Sequence, residues 1–445
     1  MKTATVDFSK PLGLMKPVHG VNNGPVTRMF SLNMSEYFRE AGIPYSRLHD
    51  TEYPYGSGHF VDIPCIFPDF DADPMNPQSY DFTLTDEYIK AIIDSGTKVF
   101  YRLGVSIEHA SKKYNIFPPK DYDQWAKICA GIVRHYNQGW ADGFHYQIEY
   151  WEIWNEPENP PMWQGTKEEY FRLYVKTANT LKTLFPDIKI GGYAGCGFYS
   201  LTRKNTSAFY QGFISYFTDF LEYISSAENR APLDFFSWHL YTTSISEMAA
   251  HARYVKKTLL SYGFDKTESI LNEWNYVTGK PGMFEQMKQM SAASFVAGSL
   301  CTMQKAAVDL GAYYDAQPSM QYCGLFDYTG PQKPFYSFKA FNELYKLKHE
   351  VFSACEKQHV MICAAGTNQE GAILLAACNS KPERLLVEIT GFDNHGVETE
   401  YYLLDEVNNL ELKRSELYYS GTLREVVELG KDTVVLIKLK MRLEE

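Results

Sequence analysis

The chain has 445 residues and a formal net charge of −11, and 45% of its residues are hydrophobic. These values are typical of a soluble globular protein with one large domain and a smaller one, or with three domains of ordinary size. The acidic balance argues against nucleic acid and against an anionic membrane surface as main partners, and it leaves a neutral partner such as a sugar open.

The sequence predicts neither a signal peptide nor a membrane-spanning segment. Residues 1–17 lack an apolar run of signal-peptide length, and no later segment reaches the roughly 20 apolar residues that span a bilayer. We therefore expect a cytoplasmic protein without a membrane partner. The eight cysteines are scattered and none forms a C-x-x-C pair, so we expect reduced core residues rather than disulfides.

Short β-rich runs alternate with helical patterns between residues 18 and 345. The runs are continuously apolar, which is typical of parallel strands buried on both faces. Eight strand–helix units in sequence predict an α/β fold, a (β/α)8 TIM barrel with its active site where the strands end. The predicted strands are VHGVN (18–22), PYSRLH (44–49), TKVFYRL (97–103), IEYWEIW (148–154), DIKIGGY (187–193), FFSWHLY (235–241), SILNEW (269–274) and GAYYDA (311–316).

The pattern changes after about residue 350. Six strand-like runs follow at regular spacing, with turn residues between them and no strong helix, which predicts a small all-β sandwich. The N-terminal run TATVDFS is also strand-like and precedes the barrel. We therefore expect residues 1–16 to pack on a β-sandwich domain of residues 347–445, and residues 17–346 to form the barrel.

Two predicted strands end in a carboxylate. The fourth runs into Asn155-Glu156 and stops because Pro157 cannot donate to a strand ladder. The seventh ends at Glu273, and strands four and seven lie on opposite sides of an eight-stranded barrel. The two carboxylates would face each other across the mouth. A glycosidase requires this arrangement, because one carboxyl protonates the leaving oxygen while the other attacks the sugar or activates water. The alternative is that they are unrelated acids at strand ends.

Several longer motifs resemble glycoside hydrolase family 39, the clan A family of β-xylosidases and α-L-iduronidase. The resemblance runs from about residue 15 to 345 and implies a retaining, exo-acting glycoside hydrolase, with a β-xyloside as the default substrate. The motifs that carry it are HGVNNGP (19–25), SRLHD (46–50), WEIWNEPE (151–158), FFSWHLY (235–241), LNEWN (271–275) and GLFDYTGPQKPFYSFKAFNEL (324–344).

The resemblance also implies roles for individual residues. Glu156 matches the general acid/base and Glu273 the nucleophile, and Asn155 matches the residue that binds the sugar's 2-hydroxyl. His239 and Tyr241 share one face of the sixth strand, and the resemblance places this pair against the nucleophile and the sugar. A turn-capping Asn and structural His and Tyr side chains are the alternatives.

Further substrate-binding candidates lie on other strand ends and loops. His49 and Asp50 resemble a pair that grips the sugar's 3- and 4-hydroxyls, with a helix cap or salt bridge as the alternative for Asp50. The resemblance to the family's sugar-binding residues is weaker for Asp315, Tyr314 and Phe326. Candidate stacking platforms for the sugar are Trp274, Trp163 and Tyr53, and packing explains each of them equally well.

No cofactor or metal is expected, because the histidines are dispersed without H-E-x-x-H, and neither G-x-G-x-x-G after the first strand nor G-x-S-x-G occurs. The partner we expect is an oligosaccharide or glycoside, with a homo-oligomer left open. Within the glycosidase class a β-glucosidase, a β-galactosidase, an arabinosidase or a transglycosidase remains an alternative. A non-catalytic sugar-binding barrel is the alternative from another class.

Overall fold

A computed structural model of the chain describes residues 2–27, 32–51, 59–106, 112–318, 321–378, 381–392 and 396–442. Numbered in chain order, its strands are β1 (Lys2–Leu14), β2 (Gly20–Asn22), β3 (Val26–Thr27), β4 (Leu32–Asn33), β5 (Tyr45–Arg47), β6 (Lys98–Leu103), β7 (Tyr150–Ile153), β8 (Lys189–Gly195), β9 (Phe235–Thr242), β10 (Glu268–Tyr276), β11 (Leu310–Tyr313), β12 (Phe326–Asp327), β13 (Gly330–Pro331), β14 (His349–Cys355), β15 (Val360–Gly366), β16 (Glu370–Ala377), β17 (Glu383–Thr390), β18 (Val397–Leu404), β19 (Asn409–Tyr418), β20 (Thr422–Leu429) and β21 (Val434–Met441).

The α-helices alternate with the barrel strands. Their ends carry ordinary stop and start signals: for example, Thr166 and Glu169 form a capping box that begins the helix after β7. Two short 3₁₀ turns cover Pro77–Ser79 and Tyr199–Leu201. The helices are α1 (Ser35–Ala41), α2 (Ile63–Ile66), α3 (Thr83–Asp94), α4 (Tyr122–Gln138), α5 (Lys167–Leu184), α6 (Ala208–Ser225), α7 (Ile245–Ser261), α8 (Met283–Gln286), α9 (Met290–Lys305) and α10 (Lys333–Lys346).

Eight parallel strands close into a barrel in the order β2-β5-β6-β7-β8-β9-β10-β11, with β11 pairing back to β2. Consecutive strands along the chain are therefore neighbours in the barrel, and a helix lies between most of them. The predicted (β/α)8 TIM barrel with a smaller β domain is confirmed. Strands four and seven of the barrel are β7 and β10, so the ends of these two strands hold Glu156 and Glu273.

The lower end of the barrel interior is a separate apolar cluster. It is formed by inward side chains near the N-terminal ends of the strands, and aromatic rings dominate it, with Phe100 stacked on Tyr150 at 5.2 Å between ring centroids. Such a layer closes the barrel against water and leaves polar chemistry to the opposite end. Its members are Tyr45, Phe100, Tyr150, Phe235, Ile270 and Leu310.

The remaining long strands form one nine-stranded sheet in the order β19-β18-β21-β16-β15-β14-β1-β17-β20. Strand β1 lies between β14, antiparallel, and β17, parallel. The two edge strands meet, since Arg414 on β19 contacts Glu425 on β20 at 2.6 Å. The sheet therefore curls around a second apolar core that includes Val6, Ile373 and Val427. The domain limits at residues 16 and 346 stay our proposal.

Helices α9 and α10 lie between the barrel and this sheet. Gln304 on α9 donates to Glu350 on β14 at 2.7 Å, and Lys305 donates to the carbonyl of Ser353 at 2.7 Å. All eight cysteines are free thiols. In the described part of the chain, no helix combines the length and the apolar character needed to cross a membrane.

Candidate active site

Glu156 lies three residues beyond the end of β7, at the mouth of the barrel. Its backbone is in the left-handed region with φ 46°, a conformation that costs a non-glycine residue about 1–3 kcal/mol and persists where surrounding contacts fix it. Its amide bonds the carbonyls of Tyr193 and Ala194 at 3.2 and 3.1 Å. Asn159 donates to its carboxylate at 2.9 Å. The side chain is therefore held in one place, and only 8% of it is exposed.

Glu273 reaches the same space from β10 because of a bulge. Between Leu271 and Glu273 the register with β9 shifts by one residue. A bulge of this kind puts one extra residue on its strand and changes which face the following side chains occupy. Asn272 and Glu273 both point into the barrel, whereas Trp274 points outward. Glu273 is 2% exposed.

The end of β9 links the two carboxylates. His239 Nδ1 lies 2.7 Å from Glu156 Oε1 and 3.4 Å from Glu273 Oε2. Tyr241, two residues further on the same face, donates its hydroxyl to Glu273 Oε2 at 2.7 Å. Both residues that sequence analysis placed beside the nucleophile candidate are therefore in contact with it.

The two carboxylates and the imidazole between them are close together. Donor atoms of Glu156, His239 and Glu273 all lie within 4.8 Å of one another. Among the described residues, this is the one group of His, Cys, Asp and Glu side chains whose donors are near enough to share a cation. The sequence-based expectation that no metal is used stays a prediction.

Below the carboxylates, Arg47 joins a buried polar network. This fully buried guanidinium, on β5, donates to Glu273 at 2.9 Å, to Glu152 at 2.7 Å and to Asn155 at 2.7 Å. Asn272 donates to the second oxygen of Glu152 at 2.6 Å. A buried charge is stable only when it is paired and hydrogen-bonded, and the three charged groups Arg47, Glu152 and Glu273 meet that condition through one another.

These contacts set the ionisation of Glu273. Burial acts to raise the pKa of its carboxyl, but electrostatic attraction to His239, contact with His49 and the charge of Arg47 outweigh burial. The pKa of Glu273 is held well below its usual range as a result. The carboxylate is ionised throughout the neutral range, which is the state in which it can act as a nucleophile.

Asn155 presents a free donor to the cleft. Its Oδ1 accepts from Arg47, which fixes the orientation of the amide. Its buried Nδ2 has no hydrogen-bond partner among the described residues. Buried polar atoms are normally satisfied, so a buried donor next to two carboxylates is a site for a ligand oxygen.

A second polar wall lies across the mouth, on the strand ends β5 and β11. His49 Nε2 is 3.3 Å from Glu273 Oε1, and Tyr314 donates its hydroxyl to Asp50. Asn23 donates to Asp315 at 2.9 Å. One buried oxygen each of Asp50 and Asp315 has no partner among the described residues. Four residues that sequence analysis proposed are therefore gathered around one cavity wall.

Burial controls the two aspartates of this wall. It raises the pKa of Asp50 well above its usual range, against the hydrogen bond from Tyr314 and together with the charge of Glu273. It raises the pKa of Asp315 to about 8, against the hydrogen bond from Asn23 and again together with Glu273. The side chain of Asp315 can therefore donate as well as accept near neutral pH.

A sequence profile of the glycosyl hydrolases family 39 matches residues 35–279, more than half of the chain and the part that holds both carboxylates. The chain belongs to this family. It is therefore a glycoside hydrolase, as the motifs around Glu156 and Glu273 predicted.

Individual relatives agree with the family assignment. The chain is 29% identical over 202 residues to a β-xylosidase from Geobacillus stearothermophilus, a match that covers 43% of this chain and 36% of that protein. It is 22% identical over 388 residues to a β-xylosidase from Caldicellulosiruptor saccharolyticus, covering 79% and 73%. The fold is similar to that of a glucosidase from Croceicoccus marinus, with TM-score 0.81, 19% identity and coverage of 100% and 99%.

The structure does not bring every predicted residue to this family 39 site. Trp274 is completely buried against Tyr313 and Phe295, between the barrel and α9, because the bulge turns it outward. Phe326 is buried among Phe38, Phe335 and Tyr37, and Trp163 packs on Trp154 and Tyr170. We do not include these three in the proposed site. Tyr53 lies outside the described residues.

Sequence reasoning missed the network beneath the carboxylates. Arg47, Glu152 and Asn272 are fully buried and hold one another and Glu273. The available signal was an arginine inside SRLH, a strand predicted to be buried on both faces. A buried guanidinium needs an anionic partner, and the glutamate of WEIW, on a strand at the same barrel level, is the natural one.

Proposed function

We propose that this glycoside hydrolase cleaves β-xylosides from chain ends, with retention of configuration, by a double displacement. The observation that carries the proposal is the arrangement of Glu156 and Glu273, since one oxygen of each carboxylate lies within 4.8 Å of the other around His239. Retaining glycosidases hold their carboxyl groups about 5–5.5 Å apart, whereas inverting ones leave about 6.5–9.5 Å for a water molecule.

In the first step, ionised Glu273 attacks the anomeric carbon and forms an ester bond to it. The bond from that carbon to the leaving oxygen breaks, and Glu156 transfers its proton to this oxygen. In the second step, Glu156 takes a proton from water, the water oxygen bonds to the anomeric carbon, and the ester electrons return to Glu273. The proposed contact of Asn155 Nδ2 with the sugar's 2-hydroxyl would strengthen in the transition state.

Several contacts support this division of roles. Glu273 accepts from Arg47 and Tyr241, and its depressed pKa keeps it anionic. Glu156 bonds no arginine or lysine in the described part of the chain, and its carboxylate bonds the side chains of His239 and Asn159. The wall of His49, Asp50 and Asp315 is our proposed site for the remaining sugar hydroxyls.

The xyloside and the chain-end mode are supported by similarity. Two curated relatives are β-xylosidases, and the family motifs were the basis for expecting an exo-acting enzyme. Hydrolysis of nitrophenyl β-xyloside, β-glucoside, β-galactoside and α-L-arabinosides tests the sugar, with Glu273→Gln alongside. We expect the β-xyloside to be the best substrate and the variant to be inactive. Preference for another glycoside would replace the substrate assignment, and activity that survives in Glu273→Gln would contradict the mechanism.

A second assay tests the chain-end mode. A xylo-oligosaccharide labelled at its reducing end should lose single xylose units, so that the labelled products shorten one unit at a time. Appearance of short labelled products before long ones would instead indicate cleavage inside the chain.

A further inference from the structure

The end of β9 extends beyond its neighbour on one side. Pairing with β10 continues to Thr242, but pairing with β8 ends where Gly195 faces Trp238. The last residues of β9, including Tyr241, therefore have a strand neighbour on the β10 side only. Their backbone groups on the other side need partners that are not strand residues, since buried amides and carbonyls are almost always bonded.

Two side chains supply these bonds to Tyr241. Its amide donates to the hydroxyl of Tyr199 at 3.0 Å, and its carbonyl accepts from Arg203 Nη2 at 3.0 Å. Both residues belong to the segment that follows β8. The guanidinium of Arg203 lies over the Tyr199 ring, 4.1 Å from the centroid, so the two side chains form one unit.

Arg203 is itself fixed by a buried carboxylate. Its Nε and Nη2 atoms lie 2.8 and 3.0 Å from the two oxygens of Glu247, a bidentate pair. Glu247 also accepts from the hydroxyls of Thr202 and Thr242 at 2.5 Å each. The carboxylate therefore ties the segment after β8 to the end of β9 at Thr242, next to Tyr241.

We infer that Arg203 and Tyr199 are positioning residues for the reaction: they hold the backbone of Tyr241, so that its hydroxyl bonds the attacking carboxylate Glu273. This inference rests on the proposed function, in which Glu273 is the nucleophile. Neither positioning residue bonds Glu273 directly, and Arg203 acts through the 2.7 Å hydrogen bond from Tyr241 to Glu273.

Loss of the support has a specific kinetic consequence. A displacement of the Tyr241 hydroxyl weakens a hydrogen bond that favours the ionised form of Glu273, so the pKa of Glu273 rises. The acid limb of the kcat/KM profile should then move to higher pH. Misplacement by about 1 Å of a group at the reacting centre can cost about 10²-fold in rate, so we expect a loss of roughly 10- to 100-fold.

The test is a double-mutant cycle of Arg203→Met and Tyr241→Phe, with the nitrophenyl glycoside that the wild type hydrolyses best. If Arg203 acts through the Tyr241 hydroxyl, Arg203→Met lowers kcat/KM in the wild type and changes it little in Tyr241→Phe. Arg203→Lys should recover part of the activity, because lysine can still donate to the Tyr241 carbonyl.

Arg414→Met is the matched control. Arg414 also pairs with a buried glutamate, Glu425, and lies over a tyrosine ring, Tyr401, at 4.9 Å, but it belongs to the β domain. We expect unchanged kcat/KM in this variant.

Two results would overturn the inference: unchanged kcat/KM in folded Arg203→Met, or losses that multiply fully in the double variant. If Arg203→Met does not fold, Tyr199→Phe keeps the ring, removes the hydroxyl that accepts from Tyr241, and enters the same cycle. Failure of the proposed function is distinguishable, because it would appear as undiminished activity in Glu273→Gln.

Discussion

The two ends of the barrel interior differ in chemistry, although the same strands build both. The lower end holds rings and aliphatic side chains, whereas two residues further along, on the same face of the strand, four of the six strands carry a charged or amide side chain. The three clearest pairs, lower then upper, are Tyr45 and Arg47 on β5, Tyr150 and Glu152 on β7, and Ile270 and Asn272 on β10.

This difference separates stability from catalysis within one barrel. Burial of the lower layer contributes about 1.5–3 kcal/mol for each large apolar side chain. The upper layer buries an arginine between two carboxylates, and such ion pairs are often neutral or costly compared with apolar packing. The upper layer is therefore best understood as a support that orients Glu273 and Asn155. Substitutions in the two layers should affect different measurements.

The largest effect is expected at the rim, at Glu156. Glu156→Ala should lower kcat/KM by about 10²–10⁴-fold for a glycoside with a poor leaving group, because the leaving oxygen loses its proton donor. A dinitrophenyl glycoside needs little protonation, so its glycosylation step should be affected far less. Added azide, which needs no general base, should restore turnover of that substrate. Equal losses in the glycosylation step for both leaving groups would contradict the assignment of the acid.

The upper layer is tested at Arg47. Arg47→Met leaves Glu152 and Glu273 buried without their cation, which should destabilise the protein by about 3–5 kcal/mol and lower kcat/KM by about 10²-fold. Because Arg47 acts to depress the pKa of Glu273, the acid limb of kcat/KM should also move to higher pH. Arg47→Lys keeps the charge and should shift the limb less. An unchanged acid limb in Arg47→Met would show that the network does not set the ionisation of Glu273.

The lower layer is tested at Phe100, which stacks on Tyr150 and contacts Phe235 edge-on. Phe100→Ala should lower the free energy of unfolding by about 3–5 kcal/mol through cavity formation. Below its melting temperature, the folded variant should keep the wild-type kcat/KM and pH profile. A changed profile with normal stability would mean that the two layers are not separate in function.

The smallest effect concerns Asp315, whose pKa burial raises to about 8 from the ordinary 3.8. The folded protein holds this proton more tightly than the unfolded chain, so the stabilisation is complete below pH 3.8 and is lost as pH rises to about 8. The slope is at most about 1.4 kcal/mol per pH unit. Asp315→Asn removes this pH dependence, so the melting temperature of the variant should rise relative to that of the wild type between pH 5 and 8. A difference between the two melting temperatures that stays constant with pH would contradict the raised pKa. The control is Asp187→Asn, since Asp187 is exposed.

The sequence allowed the fold and part of the site to be predicted, for physical reasons that differ by residue. Buried parallel strands are continuously apolar, so all eight barrel strands were recognisable, and Pro157 marked the end of the strand before Glu156. The direction of Trp274 was not readable, because a strand buried on both faces has no alternating pattern that a bulge would interrupt. Arg47 was overlooked since its partner Glu152 is distant in sequence and adjacent only once the barrel closes.

The support of Tyr241 illustrates the same limit. Arg203 and Tyr199 carry no motif, and their relation to the active site depends on where β8 stops pairing with β9. Pairing limits of this kind are set by three-dimensional register, which a local pattern does not specify. Residues that touch the substrate can be proposed from strand ends, whereas those that hold them in place need the structure.

The account depends most on Glu273 as the nucleophile, and trapping the covalent intermediate tests this directly. A xyloside with fluorine at the sugar's second carbon and a dinitrophenyl leaving group should react once per chain and then hydrolyse slowly. Peptide mapping by mass spectrometry should place one fluorosugar on Glu273, as activity is lost at the same rate. An adduct on another residue, or an enzyme that turns over the parent xyloside to the inverted product without forming an adduct, would contradict the account.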